Sequence, residues 1–252
     1  MRGPLVAQLS ARAVHFDGPR PARLLYGVAG TAAVAVRVDL VRVRDGAVVA
    51  RWGPDTAAPY VPRTASWNGL AGGRVPADGR YRFDVFAGAA ATPSASVGAR
   101  PAQAPAALSQ SFDFRGHVFP IRGRHDYGVA VNRFGPVSGR GHRGQDVLAA
   151  CGTPLVAARG GRVIVNASQS AAGHYVVIDE TGSRHQHAYM HLRERSPVPE
   201  GARVRTGQLI GHVGNTGNST ACHLHFELWS GPWWGGGRPI DPLPFLRAWD
   251  RR

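Results

Sequence analysis

Two stretches of strict apolar alternation set the limits on how this chain can fold. Val34, Val36, Val38 and Leu40 alternate with Ala35, Arg37 and Asp39, and Tyr81, Phe83 and Val85 alternate with Arg80, Arg82 and Asp84. A two-residue period sends successive side chains to opposite faces, so each stretch is a strand with one apolar face. The segment between them carries the turn pairs Asn68-Gly69, Gly72-Gly73 and Asp78-Gly79, whose glycines supply the positive φ that tight turns need. With 33 Gly and 19 Pro among 252 residues, the composition favours many short strands over long helices. The second half reads the same way. Strands are expected at Leu155 to Ala157, Arg162 to Asn166, Tyr175 to Asp179, His185 to His191 and His223 to Trp229, separated by Gly and Asn clusters. The fold class that follows is all-β, with the second half mostly antiparallel sheet.

Residues 89 to 108, AAATPSASVGARPAQAPAAL, have no apolar period and are rich in Ala, Pro and Ser, a linker composition. The expected organisation is a β-sandwich over 1–90, a linker over 91–110 and a second domain over 111–252. No apolar run is long enough to cross a bilayer. The opening MRGPLVAQLSARAVHF shows neither an uninterrupted apolar core nor a clear cleavage site, so no signal peptide is read there. The net charge is +14 and every basic residue is Arg. Arginines number 13 against six acids up to Gln110 and 17 against ten beyond it, so the charge is no basic tail. Such a surface favours polyanions, nucleic acid or anionic wall polymers alike.

Ten of the eleven histidines lie after residue 110, which places the chemistry in the second half. Three segments stand out: GHRGQD (141–146), HAYMHL (187–192) and CHLHFEL (222–228). In a strand His223 and His225 share one face while Leu224 and Phe226 point into the core. Two imidazoles side by side on one face call for a metal, a carboxylate or solvent. His142 and Asp146 supply a further imidazole and a carboxylate, with Gly144 between them to let the backbone bend. Imidazole nitrogen with carboxylate oxygen suits zinc, and two histidines with one carboxylate leave a position open. An isolated H-x-H pair is more often structural or exposed.

These segments together resemble the lysostaphin-like, or LytM-type, zinc metallopeptidases, which are peptidoglycan hydrolases. The H-x-x-x-D pattern falls on His142 and Asp146, the H-x-H pattern on His223 and His225, and Y-x-H-L on Tyr189, His191 and Leu192. Gly152 through Gly161 to Val163 and the stretch GNTGNST (214–220) also match, over a span from Val118 to Leu246. The resemblance implies one Zn2+ held by His142, Asp146 and His225, with His223 as general base and His191 steadying the oxyanion. It implies a zinc endopeptidase that cuts peptide bonds of bacterial peptidoglycan through a zinc-activated water, acting outside the cell or at the wall. A glycine-lined cleft would accept an extended small-residue peptide, and the Arg-rich surface would hold anionic wall polymers. The zinc would also draw Cys151 and Cys222 together, so a disulfide bracing the site stands beside a pair of buried free thiols. His185 and His187 share the strand face of Tyr189 and His191 and either line the same cleft or lie on the surface. Trp233 and Trp234 form a groove wall or pack on the sheet edge.

In the first half, Trp67, Gly69, Pro76, Gly79 and Tyr81 resemble the W-x-G and P-x-G-x-Y pattern of the immunoglobulin-like domain of flagellar hook-capping proteins. That implies a spacer or targeting sandwich without catalytic residues. Two other functions are set against the peptidase. One is a catalytically silent, zinc-containing wall-binding or regulatory module. The other is nucleic-acid binding driven by charge, which leaves the motif residues without a role and for which no specific signal is found.

Overall fold

The computed structural model describes residues 5–88, 108–137 and 140–251, and the chain divides into two compact units, Met1–Gly116 and His117–Arg252. The first contains β1 (Leu5–Leu9), β2 (Ala13–His15), β3 (Ala22–Val28), β4 (Val34–Arg42), β5 (Ala47–Ala57), β6 (Arg63–Trp67), β7 (Gly79–Ala87) and β8 (Leu108–Arg115). They form one sheet in the order β1-β3-β6 and another in the order β2-β8-β7-β4-β5. Leu24, Tyr26, Ala65 and Trp67 from the first sheet share a core with Val38, Leu40, Tyr81, Phe83 and Phe112 from the second. The unit is therefore a two-sheet sandwich. The Trp67 indole donates to the Leu70 carbonyl at 2.8 Å, and its ring packs on Tyr81 and Phe114. Gly69 between them has φ +84 and lies against the Phe16 ring, leaving no room for a side chain. The Tyr81 hydroxyl donates to the Ala77 carbonyl at 2.7 Å, pinning the turn that leads into β7.

The first unit extends further along the chain than the sequence suggests. The linker composition places residues from 111 onward in the second domain, yet β8 pairs with β7 from Leu108 to Phe114. Phe112 and Phe114 are both buried in the sandwich core. Burial of two phenylalanines, worth roughly 1.5–3 kcal/mol each, outweighs the linker composition just before them. The expected linker lies outside the described residues except for Leu108 to Gln110, which belong to β8.

The second unit contains β9 (His125–Asp126), β10 (Gly135–Val137), β11 (Arg140–His142), β12 (Gln145–Ala149), β13 (Pro154–Val156), β14 (Gly161–Gln169), β15 (Gly173–Glu180), β16 (His185–Leu192), β17 (Arg203–Val204), β18 (Leu209–His212), β19 (His223–Ser230), β20 (Arg238–Ile240) and α1 (Leu243–Asp250). Its main sheet runs β17-β14-β15-β16-β19-β12-β9, with β20 also on β19, and every pairing is antiparallel. One face carries the main core: Val147, Val176, Ile178, Tyr189, Leu224, Phe226 and Leu228, covered by Leu246 and Trp249 of α1. The β13-β18 pair adds Leu155 and Ile210 to the same core. A smaller cluster of Tyr175, Val177, Ala188 and Met190 lies on the opposite face. No described helix is long and apolar enough to cross a membrane, which says nothing of strands.

Candidate active site

The site is built on β19, where sequence alternation and sheet register act together. Leu224, Phe226 and Leu228 enter the main core, which turns His223, His225 and Glu227 to the other face. Antiparallel pairing sets Asp146 of β12 directly opposite His225, and Met190 of β16 opposite it on the other side. His142, at the end of β11, reaches the same point. Its Nε2 lies 3.2 Å from Asp146 Oδ1 and 3.1 Å from His225 Nδ1, while His225 Nδ1 lies 2.8 Å from Asp146 Oδ1. Three donor atoms from segments up to 83 residues apart thus converge on one spot. Gly144 contributes differently from the expectation. Its backbone is not left-handed, but a side chain there would strike the Phe226 carbonyl and the His225 ring, so glycine lets β12 close on β19.

The remaining ring nitrogens are held from behind. His142 Nδ1 donates to the Arg133 carbonyl at 2.7 Å, which directs the Nε2 lone pair inward. His225 Nε2 lies 3.4 Å from Glu227 Oε1, and the other oxygen of Glu227 accepts from the indoles of Trp229 at 2.7 Å and Trp233 at 2.9 Å. Burial alone would lower the His225 pKa, but the Asp146 and Glu227 carboxylates raise it to about 9. Burial would raise that of Asp146, but hydrogen bonds from His142 and His225 hold it below the usual carboxylate range. Glu227 escaped the sequence reading, although H-x-H-x-E continues the two-residue period that had put the histidines on one face.

Two further imidazoles border this cluster. The His223 Nδ1 donates to the Ala221 carbonyl at 2.8 Å, leaving Nε2 3.6 Å from Asp146 Oδ1. His191 stands with its ring 4.7 Å from that of His223, and its Nδ1 donates to the Thr216 carbonyl at 2.8 Å. Burial, reinforced by the neighbouring imidazoles, lowers the His191 pKa to about 4, so its Nε2 is unprotonated at neutral pH. Thr216 is fixed by its own hydroxyl, which donates to the Leu192 carbonyl at 2.7 Å.

His191 reaches this face through a break in β16. Opposite β15, Tyr189 pairs with Val176 and Leu192 with His174, so Met190 and His191 together face the single residue Tyr175. This is a β-bulge, and His191 takes a left-handed φ of +60 within it. The bulge turns His191 to the face of His223 and returns Leu192 to the core. Neither reading of His187, lining the cleft of His191 or lying on the surface, holds. His187 is fully buried against Phe226 on the opposite face, because only His191 passes through the bulge. His185 is likewise outside the cluster, near Glu180.

The two tryptophans divide their roles. Trp233 packs on Tyr175, whereas Trp234 is 58% exposed beside the histidines with the Arg143 guanidinium 4.0 Å from its ring centre. Cys151 and Cys222 are joined by a disulfide between the ends of β12 and β19, across 71 residues.

A sheet whose one face gathers two histidines and an aspartate about a common point, with two more imidazoles at the rim, defines a protein with a hydrolase-type centre that could hold a metal. Residues 140–242 match the family model described as Peptidase family M23, so the second unit carries a peptidase domain of this family. It is 34% identical over 113 residues to the glycyl-glycine endopeptidase ALE-1 of Staphylococcus capitis, a match covering 44% of this chain and 31% of that protein. It is 41% identical over 98 residues to the peptidoglycan DD-endopeptidase ShyC of Vibrio cholerae, covering 38% and 22%. The solved catalytic domain of lysostaphin from Staphylococcus simulans aligns at 32% identity and a TM-score of 0.43, covering 49% of this chain and 92% of that one. The match spans less than a third of the length of these curated relatives.

Proposed function

We propose that the second unit is a zinc-dependent endopeptidase that hydrolyses peptide bonds of bacterial peptidoglycan, working outside the cell or at its wall. The observation that carries this reading is the convergence of His142 Nε2, His225 Nδ1 and Asp146 Oδ1, each with its remaining ring nitrogen or oxygen occupied elsewhere. That donor set is two imidazoles and a carboxylate, as zinc in a catalytic position takes. His142, Asp146 and His225 would hold the ion, which when bound acts as a Lewis acid on a carbonyl and makes water a stronger acid.

The chain's own groups supply the rest. His223, its Nδ1 proton committed to Ala221, offers Nε2 as the base that takes a proton from the attacking water. His191, its Nδ1 proton likewise tied to Thr216, presents an unprotonated Nε2 across from His223 that accepts from the attacking water; it would donate to the oxygen on which negative charge develops only after taking up a proton there. Once His223 carries the proton it can pass it to the leaving amine. Exposed Trp234 and Arg143 give one wall of the groove an apolar plane and a positive charge, suited to a short peptide bearing carboxylates. The disulfide fits an oxidising compartment. Names of the relatives support peptidoglycan as the substrate class.

The test is mass spectrometry of fragments released from purified peptidoglycan. New amine termini at peptide cross-links or stem peptides, lost on chelation, restored by zinc and absent with His225→Ala, are the expected result. A folded, zinc-loaded chain that releases nothing would instead favour the silent wall-binding module.

A further inference from the structure

The second unit holds another convergence of imidazole and carboxylate, away from the groove. Glu180, at the end of β15, points into the main core, and Ile178, two residues before it, pairs with His187 of β16. Glu180 and His187 are therefore diagonal neighbours on one sheet face. His117, at the start of the unit, stacks flat on Trp249 of α1, with ring centres 4.5 Å apart. His117 Nε2 and His187 Nε2 both lie 2.8 Å from the same oxygen, Glu180 Oε1.

We propose that His117, Glu180 and His187 form a second binding site for a divalent transition metal such as zinc, on the sheet face opposite the His142 cluster. Two observations carry this beyond a buried ion pair. Only His117 is aligned to hydrogen-bond with Oε1. His187 Nε2 is fully buried and points at the same oxygen from 2.8 Å, off the line a good hydrogen bond needs. A shared cation would give that nitrogen, through its lone pair, a better-aligned partner than the carboxylate alone. Secondly, the other groups leave Oε1 to the imidazoles. Arg159 approaches Glu180 Oε2 at 3.4 Å, and the guanidinium is also anchored on the Thr181 carbonyl. The His187 Nδ1 faces the Tyr189 hydroxyl, which itself accepts from the Ala158 amide, so the ring is held from behind with Nε2 inward. His185, partly exposed with Nδ1 3.9 Å from Glu180 Oε2, stands at the rim and offers a way in.

The arginine sets the order of filling. A cation entering here meets the buried Arg159 guanidinium already paired with Glu180, so this site is the weaker of the two. Its occupancy would tie the entering segment at His117 and the helix α1, through Trp249, to the sheet. It is a structural role, independent of whether the first site hydrolyses anything.

The test is titration of the metal-free full chain with Zn2+ by calorimetry and with Co2+ by absorption. Two equivalents are expected, the weaker one lost in His117→Phe, which keeps a ring on Trp249, and in His187→Phe, which sits among Phe226, Tyr189 and Trp249. His225→Ala should retain one equivalent with a nitrogen-oxygen Co2+ spectrum, and lose it when combined with His117→Phe. If folded wild type, His117→Phe and His187→Phe bind equal numbers of ions, or if His225→Ala binds none, the proposal is overturned. Should wild type and His225→Ala both bind one ion that His117→Phe abolishes, this site stands and the zinc reading of the His142 cluster fails. The His225→Ala titration leaves this cluster untouched, so it decides the matter even if neither phenylalanine variant folds.

Discussion

The two units bury their carboxylates against different partners. In the first, Asp39 is clamped by Arg51 through two hydrogen bonds of 2.7 and 3.0 Å, and Asp84 accepts from Arg82 at 2.9 Å and Ser109 at 2.6 Å. In the second, Asp146 faces His142 and His225, Glu227 faces His225, and Glu180 faces His117 and His187. Arginine keeps its proton at any physiological pH and has no lone pair to offer, so a carboxylate–arginine pair is chemically closed. An imidazole can give up its proton and present a lone pair, so a carboxylate–imidazole cluster stays open to a proton or a cation. The same fold class thus yields a scaffold in one unit and reactive centres in the other. Glu180, which has both kinds of neighbour, lies between these cases.

The sharpest way to break this contrast is to remove an open imidazole without touching the donor cluster. His191→Ala should keep zinc while lowering peptidoglycan turnover by about 10²–10⁴-fold, the usual worth of a positioned acid or base. Unchanged turnover with intact folding would remove His191 from the chemistry. Next in size is the brace between β12 and β19. Replacing Cys151 and Cys222 by Ala should cost the second unit about 2–4 kcal/mol in denaturant unfolding and leave the first unit's transition where it was. A smaller effect is expected at Glu227, which lies on the groove face and backs His225 through Nε2. Glu227→Gln keeps the indole hydrogen bonds within reach and should weaken zinc affinity or turnover by about 10–100-fold, read by competition with a chelator.

The mildest test is pH, applied to the metal-free chain. His191 has its pKa lowered to about 4, so between pH 6.5 and about 4 the unfolded chain binds a proton that the folded one refuses, and stability falls on acidification. The pKa of His225 is raised to about 9, so its contribution is complete below pH 6.5 and is lost as pH rises through about 9. The second unit should therefore melt highest near pH 6.5, and zinc should flatten the alkaline side by replacing the proton. The first unit, whose one histidine is His15, should show no such maximum. Coincident maxima for both units would dissolve the contrast.

Much of the site was visible in the chain because strand periodicity is a local rule. H-x-H on β19 put His223 and His225 on one face, and the same rule extended two residues would have reached Glu227. His191 and His187 show where that rule stops. By alternation they share a face, yet the bulge opposite Tyr175 separates them. A bulge depends on how two strands pair, and no local pattern in HAYMHL announces it. The end of the first unit was misjudged for a related reason. The alternation of Phe112 and Phe114 was present, but only the pairing of β8 with β7 shows which core they enter.

By itself, then, the sequence determined that this chain would be strands, that its chemistry would lie in the second half, and that two of its imidazoles would stand side by side. Those properties follow from dihedral preference and side-chain period, which act between near neighbours. The tertiary structure alone decided that Asp146 would sit opposite His225, that His191 would cross to their face, and that His187 would meet Glu180 and His117 in the core. Those are matters of register and burial, set by which distant segments exclude water together.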